Sequence, residues 1–199
     1  MPPSTRLATI ACACAGVIAL AAPASAGATR LGSAPILPPG AHIAGAVASS
    51  TPVHLTVTLQ PRDPAALQAF ATAVSTPGSP HYRDYISPAQ FAERYGAAPD
   101  TVAAVQASLR AHGLTPGHLS PNALSIPITA TAGAAAHAFE VSFAHVTLQN
   151  GTSAIVNQQA PALDAAIAPD VQAVLGLDTA SSAKPLLVHP QAKSAQARP

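Results

Sequence analysis

The sequence predicts an α+β domain in which an antiparallel sheet carries its helices on one face. Residues 53–60 alternate between apolar and polar side chains, which is typical of a half-buried strand. Other segments repeat apolar residues at helical spacing and are bounded by capping residues. Asn150-Gly151 separates two further strand-like segments, and this dipeptide is the strongest short signal for a β-hairpin. The order of these elements predicts an antiparallel α+β sandwich.

The first predicted strand leads directly into the first predicted helix. Valine and leucine occupy one face of residues 53–60, and polar residues occupy the other face. Asp63 then acts as the N-cap and Pro64 as the first residue of a helix. The helix ends at residues 75–78, before a Pro-Gly turn. Its apolar stripe consists of Leu67, Phe70, Ala71 and Val74.

An aromatic segment at residues 79–96 contains all three tyrosines and one of the four phenylalanines. Aromatic side chains bury large areas and dominate core and interface energetics, so the segment marks a packing or docking centre. Within it, Ser87 is predicted as an N-cap, Gln90 as its capping-box partner and Gly96 as the end of a short helix. Two interpretations stay open: the tyrosines pack against the domain's own helices, or they dock on a partner. The candidate docking residues are His81, Tyr82, Arg83, Asp84, Tyr85, Phe91 and Tyr95.

The second half of the chain alternates helices and strands. A helix is predicted from about Asp100 to His112, with Gly113 ending it. The strand at residues 124–129 contains Pro127 on its outward face, which favours an edge strand or a bulge. An alanine-rich helix follows from Thr131 to Glu140, with Phe139 as its large apolar residue. The remaining predicted elements are strands at 143–149 and 152–157, a helical turn around Leu163–Ile167 and a final strand at Val171–Leu177.

The two ends of the chain read as a targeting segment and a linker. Residues 1–26 have the pattern of a secretory signal, with Arg6, an apolar run from Leu7 to Ala22 and the triplet Ala24-Ser25-Ala26. Cleavage is predicted between Ala26 and Gly27. A membrane anchor is the alternative, but the run is shorter than the roughly 20 residues a spanning helix needs. Residues 27–51 are predicted as a flexible leader, 52–179 as the domain and 180–199 as a disordered linker.

The aromatic segment carries a family resemblance. Its pattern S-P-x-Y-x-x-Y-I-S-P-x-x-F-x-x-x-Y resembles the activation domain of sedolisin/kumamolisin-type serine-carboxyl peptidases, the S53 family. The resemblance covers roughly residues 53–178 and implies a ferredoxin-like pro-domain. It also implies a peptidase catalytic domain as partner, in cis if the chain is truncated and otherwise in trans. The later segments that carry it are 109–114, 120–126, 160–163 and 174–178.

The catalytic residues of that family are not recognisable in this sequence. Gly151-Thr152-Ser153 matches the triplet around the family's nucleophile, but it falls in the predicted hairpin, where turn geometry explains its small residues. No Asp or Glu is followed by another acid four positions later, so the paired acids are missing. We therefore predict a chain that is not an enzyme and has no catalytic residues. A small phosphate-ester hydrolase is a remote alternative, because none of the core arginines has a Gly-rich anion loop.

The ionisable residues argue against several ligand classes. Charged residues make up only 9% of the chain and the net charge is +1, so no nucleic-acid partner is expected. The eight histidines have no ligand spacing, and both cysteines lie in the predicted signal, so no metal and no cofactor are expected. Histidine changes charge between pH 5 and 8. Since the resemblance implies activation by acid, the candidate pH sensors are His81, His112 and His118.

These observations together predict a secreted or periplasmic pro-domain. It is expected to assist the folding of a serine-carboxyl endopeptidase and to inhibit it until acid-triggered cleavage. The alternative is a stand-alone secreted inhibitor or binding module with the same fold and no linked peptidase. After removal of the signal, no membrane association is expected.

Overall fold

The computed structural model describes residues 27–180. The predicted signal peptide and the residues beyond 180 lie outside the described part. The elements within it are the strands β1 (Ala28–Arg30), β2 (His42–Ala46), β3 (Pro52–Leu59), β4 (Ser125–Thr131), β5 (Phe143–Thr147), β6 (Ser153–Asn157), β7 (Ala162–Asp164) and β8 (Val171–Leu175), the helices α1 (Pro64–Ser75), α2 (Pro88–Tyr95), α3 (Pro99–Ala111) and α4 (Ala132–Phe139), and a 3₁₀ helix at Ala168–Asp170.

A three-stranded antiparallel sheet in the order β4-β3-β8 forms the centre of the domain. Leu55 lies opposite Ile128, and Val57 lies between Ile126 and Val174. The buried residues of β3 alternate with more exposed ones, as the sequence pattern predicts. Pro127 is exposed on the edge strand β4, which agrees with the predicted edge position. The α+β class and the antiparallel pairing are confirmed.

The helices α3 and α4 pack on the inward face of this sheet. Val105 and Leu109 of α3 are buried in the same cluster as the inward residues of β3 and β4. Phe139, the last residue of α4, is completely buried and belongs to the same cluster. Phe139, the large apolar residue of the predicted helix, therefore packs α4 into the cluster that also contains residues of the sheet and of α3.

The strands are distributed over three sheets, whereas the sequence suggested one. β2, β5 and β6 form a second antiparallel sheet, and β1 pairs with β7. Both β1 and β2 lie in residues 27–51, so the expectation of a leader with little fixed structure differs from the structure. The difference arises because these residues gain their order from distant partners: Leu31 N–H donates to the carbonyl of Pro161, and Val47 N–H to that of Phe143.

Two local predictions need correction. The helical turn expected around Leu163–Ile167 begins later than predicted, because Leu163 lies in β7. Ile167 N–H donates to the carbonyl of Asp164, and this turn leads into the 3₁₀ residues 168–170. In α1, Ala71 is exposed and Val74 is the buried residue of the stripe. The predicted hairpin at Asn150-Gly151 is confirmed, and its loop includes Gln149, because Leu148 N–H donates to the carbonyl of Thr152.

The helix caps agree with the sequence. Asp63 accepts a hydrogen bond from Ala66 N–H at 2.9 Å. Ser87 Oγ accepts from Gln90 N–H at 3.2 Å, while Gln90 Oε1 accepts from Ser87 N–H at 2.9 Å, which is a complete capping box. Gly113 has φ of 78°, the left-handed conformation that ends a helix.

Replacing Ser87 with alanine is expected to lower the free energy of unfolding by about 1 kcal/mol, the usual effect of losing an N-cap. Urea unfolding monitored by circular dichroism measures this value. Ser87→Asp is the matched control, because a carboxylate also caps the helix and is expected to retain most of the stability. Equal losses in both variants would show that the hydroxyl does not act as a cap.

Candidate functional site

Residues 79–85, which we call the aromatic turn, connect α1 to α2 and are held by backbone hydrogen bonds. Tyr82 N–H donates to the carbonyl of Ser79 at 3.0 Å, and Asp84 N–H donates to that of His81 at 3.0 Å. Arg83 N–H reaches back to the carbonyl of Val74, near the end of α1, at 2.9 Å. Hydrogen bonds therefore hold the aromatic turn both internally and to the preceding helix.

Arg83 occupies a strained position at the tip of the aromatic turn. Its φ is 64°, a left-handed value that is uncommon for a residue with a side chain. Its guanidinium lies 5.2 Å from the centre of the Tyr82 ring, within the range of a cation–π contact. His81 Nδ1 lies 3.6 Å from Asp84 Oδ2. Strain of this kind occurs preferentially at functional positions, which makes the aromatic turn a candidate site.

The seven candidate docking residues divide into two groups. Tyr82 and Tyr85 are exposed by 40% and 75%, although tyrosine rings are large apolar surfaces. Phe91 and Tyr95 are half-buried instead, with their ring centres 5.6 Å apart, and Tyr95 lies 5.5 Å from Phe70 of α1. The structure thus divides the two interpretations of the sequence: the aromatic residues of α2 hold the domain together, and the two tyrosines of the turn face solvent. His81, Arg83 and Asp84 are also exposed.

Arg62 fixes the position of α2 and was not among the sequence candidates. Its Nε donates to the carbonyl of Gly96 at 2.8 Å, and one of its terminal nitrogens donates to that of Ala92 at 3.2 Å. These carbonyls lie at the C-terminal end of α2, where the carbonyl of Ala92 also accepts from Gly96 N–H at 3.1 Å. The arrangement holds α2 in place behind the aromatic turn. No local sequence signal identifies Arg62, because its partners lie 30 and 34 residues away.

The three candidate pH sensors have different surroundings. The imidazole of His81 lies beside Asp84, and both side chains are well exposed. His118 is exposed, and within residues 27–180 no hydrogen bond or ion pair is formed by its side chain. His112 Nε2 lies 3.0 Å from Asp164 Oδ1, with both side chains partly buried.

Asp164 is the common partner of two residues on α3. Ser108 Oγ donates to Asp164 Oδ2 at 2.6 Å, and His112 lies at the other carboxylate oxygen. The Ser108 hydrogen bond lowers the pKa of the Asp164 carboxyl most, the His112 hydrogen bond and charge lower that pKa further, and partial burial opposes them. Sequence analysis found His112 but not Asp164, because 52 residues separate them.

This cluster is not a catalytic triad. In a hydrolytic triad the histidine bonds to the serine and takes its proton. Here Ser108 and His112 both bond to the carboxylate, so the serine hydroxyl donates to Asp164 and not to the imidazole. The triplet Gly151-Thr152-Ser153 belongs to the β5–β6 hairpin, where Thr152 N–H donates to Asn150 Oδ1 at 3.0 Å.

Residues 27–180 contain neither a metal-binding cluster nor a membrane-spanning helix. Across residues 27–180, no group of three or more His, Cys, Asp or Glu side chains is arranged to hold a metal ion. Of the helices that the structure describes, none has the length and hydropathy required to cross a bilayer.

Comparison with known proteins identifies the chain's relatives. The family model of the pro-kumamolisin activation domain matches residues 39–180. Xanthomonalisin of Xanthomonas sp. (strain T-22) is 38% identical over 136 residues, and sedolisin of Pseudomonas sp. (strain 101) is 31% identical over 141 residues. These matches cover 68% and 71% of this chain but only 16% and 24% of the relatives. The chain therefore corresponds to a small part of these S53 peptidases, at their N-terminal region.

Proposed function

Because the chain belongs to the pro-kumamolisin activation-domain family, and is therefore a pro-domain of S53 peptidases rather than their catalytic domain, we propose that it binds and inhibits such a catalytic domain. In this proposal the domain is secreted, assists the folding of the peptidase and keeps it inactive until acid releases it. The partner is linked in cis or bound in trans. Binding stabilises the folded peptidase, since a ligand that binds only the native state shifts the folding equilibrium toward it.

The observation that supports this proposal most is the exposure of Tyr82 and Tyr85 on a backbone that is already fixed. Tyrosine and arginine are enriched among the residues that contribute most to protein–protein binding. A preformed surface also loses little conformational entropy when it binds. The aromatic turn therefore has the chemical composition and the rigidity expected of a docking surface. The half-buried Phe91 and Tyr95 support it from below and are not expected to contact the partner.

Within this proposal, His81 and Asp84 are the groups that make docking sensitive to acid. Both side chains are exposed beside the two tyrosines, so their protonation changes the charge of the docking surface directly. His112 is a poorer trigger, because it lies outside residues 79–85 and its imidazole contacts the Asp164 carboxylate of the same domain. His118 lies outside residues 79–85, and its surroundings support no specific role.

An inhibition assay tests this proposal. The full chain is added to the catalytic domain of xanthomonalisin, and residual peptidase activity is measured at a series of pH values. We expect saturable inhibition near neutral pH that weakens as the pH falls below about 6, the range in which histidine gains a proton. His81→Gln is expected to reduce the pH dependence, whereas His118→Gln, an exposed matched control, leaves it unchanged.

Two results would contradict parts of this proposal. Absence of inhibition at every pH, against the catalytic domains of both xanthomonalisin and sedolisin, would favour a binding module that has no peptidase partner. Inhibition with an unchanged pH profile in His81→Gln would retain the inhibitor function and remove His81 as the trigger.

A further inference from the structure

Ser108, His112 and Asp164 connect parts of the fold that are distant in sequence. Ser108 lies on the last turn of α3, and His112 is the first residue after this helix. The two residues are four positions apart, so their side chains project from the same side of the helix. Asp164 is the last residue of β7, which pairs with β1 at the N-terminal end of the described chain. One carboxylate thus fastens the end of α3 to the β1–β7 pair.

The charged groups around this contact are few. A cleft of about 280 Å³ borders it and is also lined by His137 of α4 and by Glu140. Arg30 of β1 lies 3.9 Å from the carboxylate of Glu140 and donates to the carbonyl of Ala160 at 2.6 Å. Arg110, the other charged residue near the end of α3, bonds to Gln106. His112 and Ser108 are therefore the only side chains within residues 27–180 for which a hydrogen bond to Asp164 is found.

We propose that Ser108, His112 and Asp164 form an acid-tolerant latch, which keeps the activation domain folded under the mildly acidic conditions that release its partner. This inference rests on the proposed function only for the purpose of the latch. Its physical basis is that the hydrogen bonds from Ser108 and His112 favour the charged form of the Asp164 carboxyl, which therefore keeps both bonds in mild acid. Acid that weakens the exposed docking surface would then leave this internal contact in place.

The pH range of the latch follows from the direction of the pKa shift. The pKa of Asp164 is lowered in the folded protein, so the carboxylate contributes stability at pH values above its unfolded pKa of about 4. This contribution is lost as the pH falls through the lower folded pKa. In mild acid above that transition the carboxylate is still charged, and the latch is retained.

Thermal unfolding of the full chain without any peptidase tests the latch. At about pH 5 and at about pH 8, His112→Gln is expected to lower the melting temperature by about 3 °C relative to His118→Gln, because the Asp164 carboxylate is ionised at both pH values. Ser108→Ala is expected to lower it by a similar amount at both pH values, because the serine hydroxyl does not titrate. As the pH falls below about 4, the ordinary pKa of aspartate, the deficits of both variants shrink, and they are lost as the pH falls through the lowered pKa of Asp164.

The matched control makes the outcome decisive. A His112→Gln melting temperature that equals that of His118→Gln at every pH would overturn the latch, as would a deficit that is present at pH 8 and lost by pH 5. Because the measurement needs no partner, these results would leave the proposed inhibition untouched. Conversely, a failed inhibition assay would not change the unfolding result.

Discussion

Replacing Phe139 with alanine is expected to lower the free energy of unfolding by about 3–5 kcal/mol, the largest effect of any substitution considered. The ring is completely buried at the end of α4. It belongs to the cluster that joins α4 to β3 and α3. Alanine would leave a cavity in this cluster, and the loss of packing adds to the loss of apolar burial. Since the free energy of unfolding of a folded domain is only about 5–15 kcal/mol, the variant is expected to be close to unfolding.

Urea unfolding followed by circular dichroism measures this effect. Phe70→Ala is the matched control, because Phe70 is a half-buried ring on α1 that contacts Tyr95. Phe70→Ala is expected to lose clearly less stability than Phe139→Ala, since the half-buried ring of Phe70 contributes less buried apolar surface to the folded domain. Equal losses would contradict the position of Phe139 at the centre of the core.

Replacing both Tyr82 and Tyr85 with alanine is expected to weaken inhibition of the xanthomonalisin catalytic domain by about 1,000-fold. Each ring is treated as an interface hot spot, whose truncation costs about 2 kcal/mol, and about 1.4 kcal/mol corresponds to a factor of ten. Both side chains are exposed in the free domain, so their removal leaves no cavity in its core. The melting temperature of the free variant is therefore expected to stay close to that of the unmodified chain.

Leu175→Ala provides the matched control for this prediction. Leu175 is 53% exposed on β8, away from the aromatic turn in sequence, and is another large apolar side chain at the surface. Its replacement is expected to change inhibition by less than about two-fold, as surface substitutions outside hot spots do. Strong weakening by Leu175→Ala, with no effect of the tyrosine variant, would place the interface on the β4-β3-β8 sheet instead.

Features determined by neighbouring residues could be predicted from the sequence. The capping box of Ser87 and Gln90, the Gly113 stop and the Asn150-Gly151 hairpin each depend on a few adjacent residues, and all are confirmed. The alternating pattern of β3 also predicted its buried face correctly, because a strand with one buried face must repeat every two residues.

Features determined by partners that are distant in the sequence could not be predicted from it. Nothing in the composition of residues 27–51 shows that β1 pairs with β7 or β2 with β5, since the partners lie more than 90 residues away. The division into three sheets is hidden for the same reason. Leu163 in β7 was predicted as a helical turn, because a three-residue strand is too short to show an alternating pattern.

The candidate site shows the same limit. The sequence concentrated the aromatic residues in one segment, but their number alone does not distinguish core packing from docking. The distinction depends on Phe70 of α1, which packs against Tyr95 of α2. Within residues 27–180, Tyr82 and Tyr85 have no such partner in the core and are exposed to solvent. Similarly, His112 was identified as a titratable side chain, but its role depends on the carboxylate of Asp164, which only the fold places beside it.

Titration calorimetry of the full chain with the active-site-blocked catalytic domain of xanthomonalisin, near neutral pH, measures the proposed docking itself. We expect one-to-one binding that the Tyr82→Ala/Tyr85→Ala variant weakens by about 1,000-fold. Absence of binding by a chain that is shown to be folded under the same conditions, with sedolisin's catalytic domain giving the same result, would contradict it.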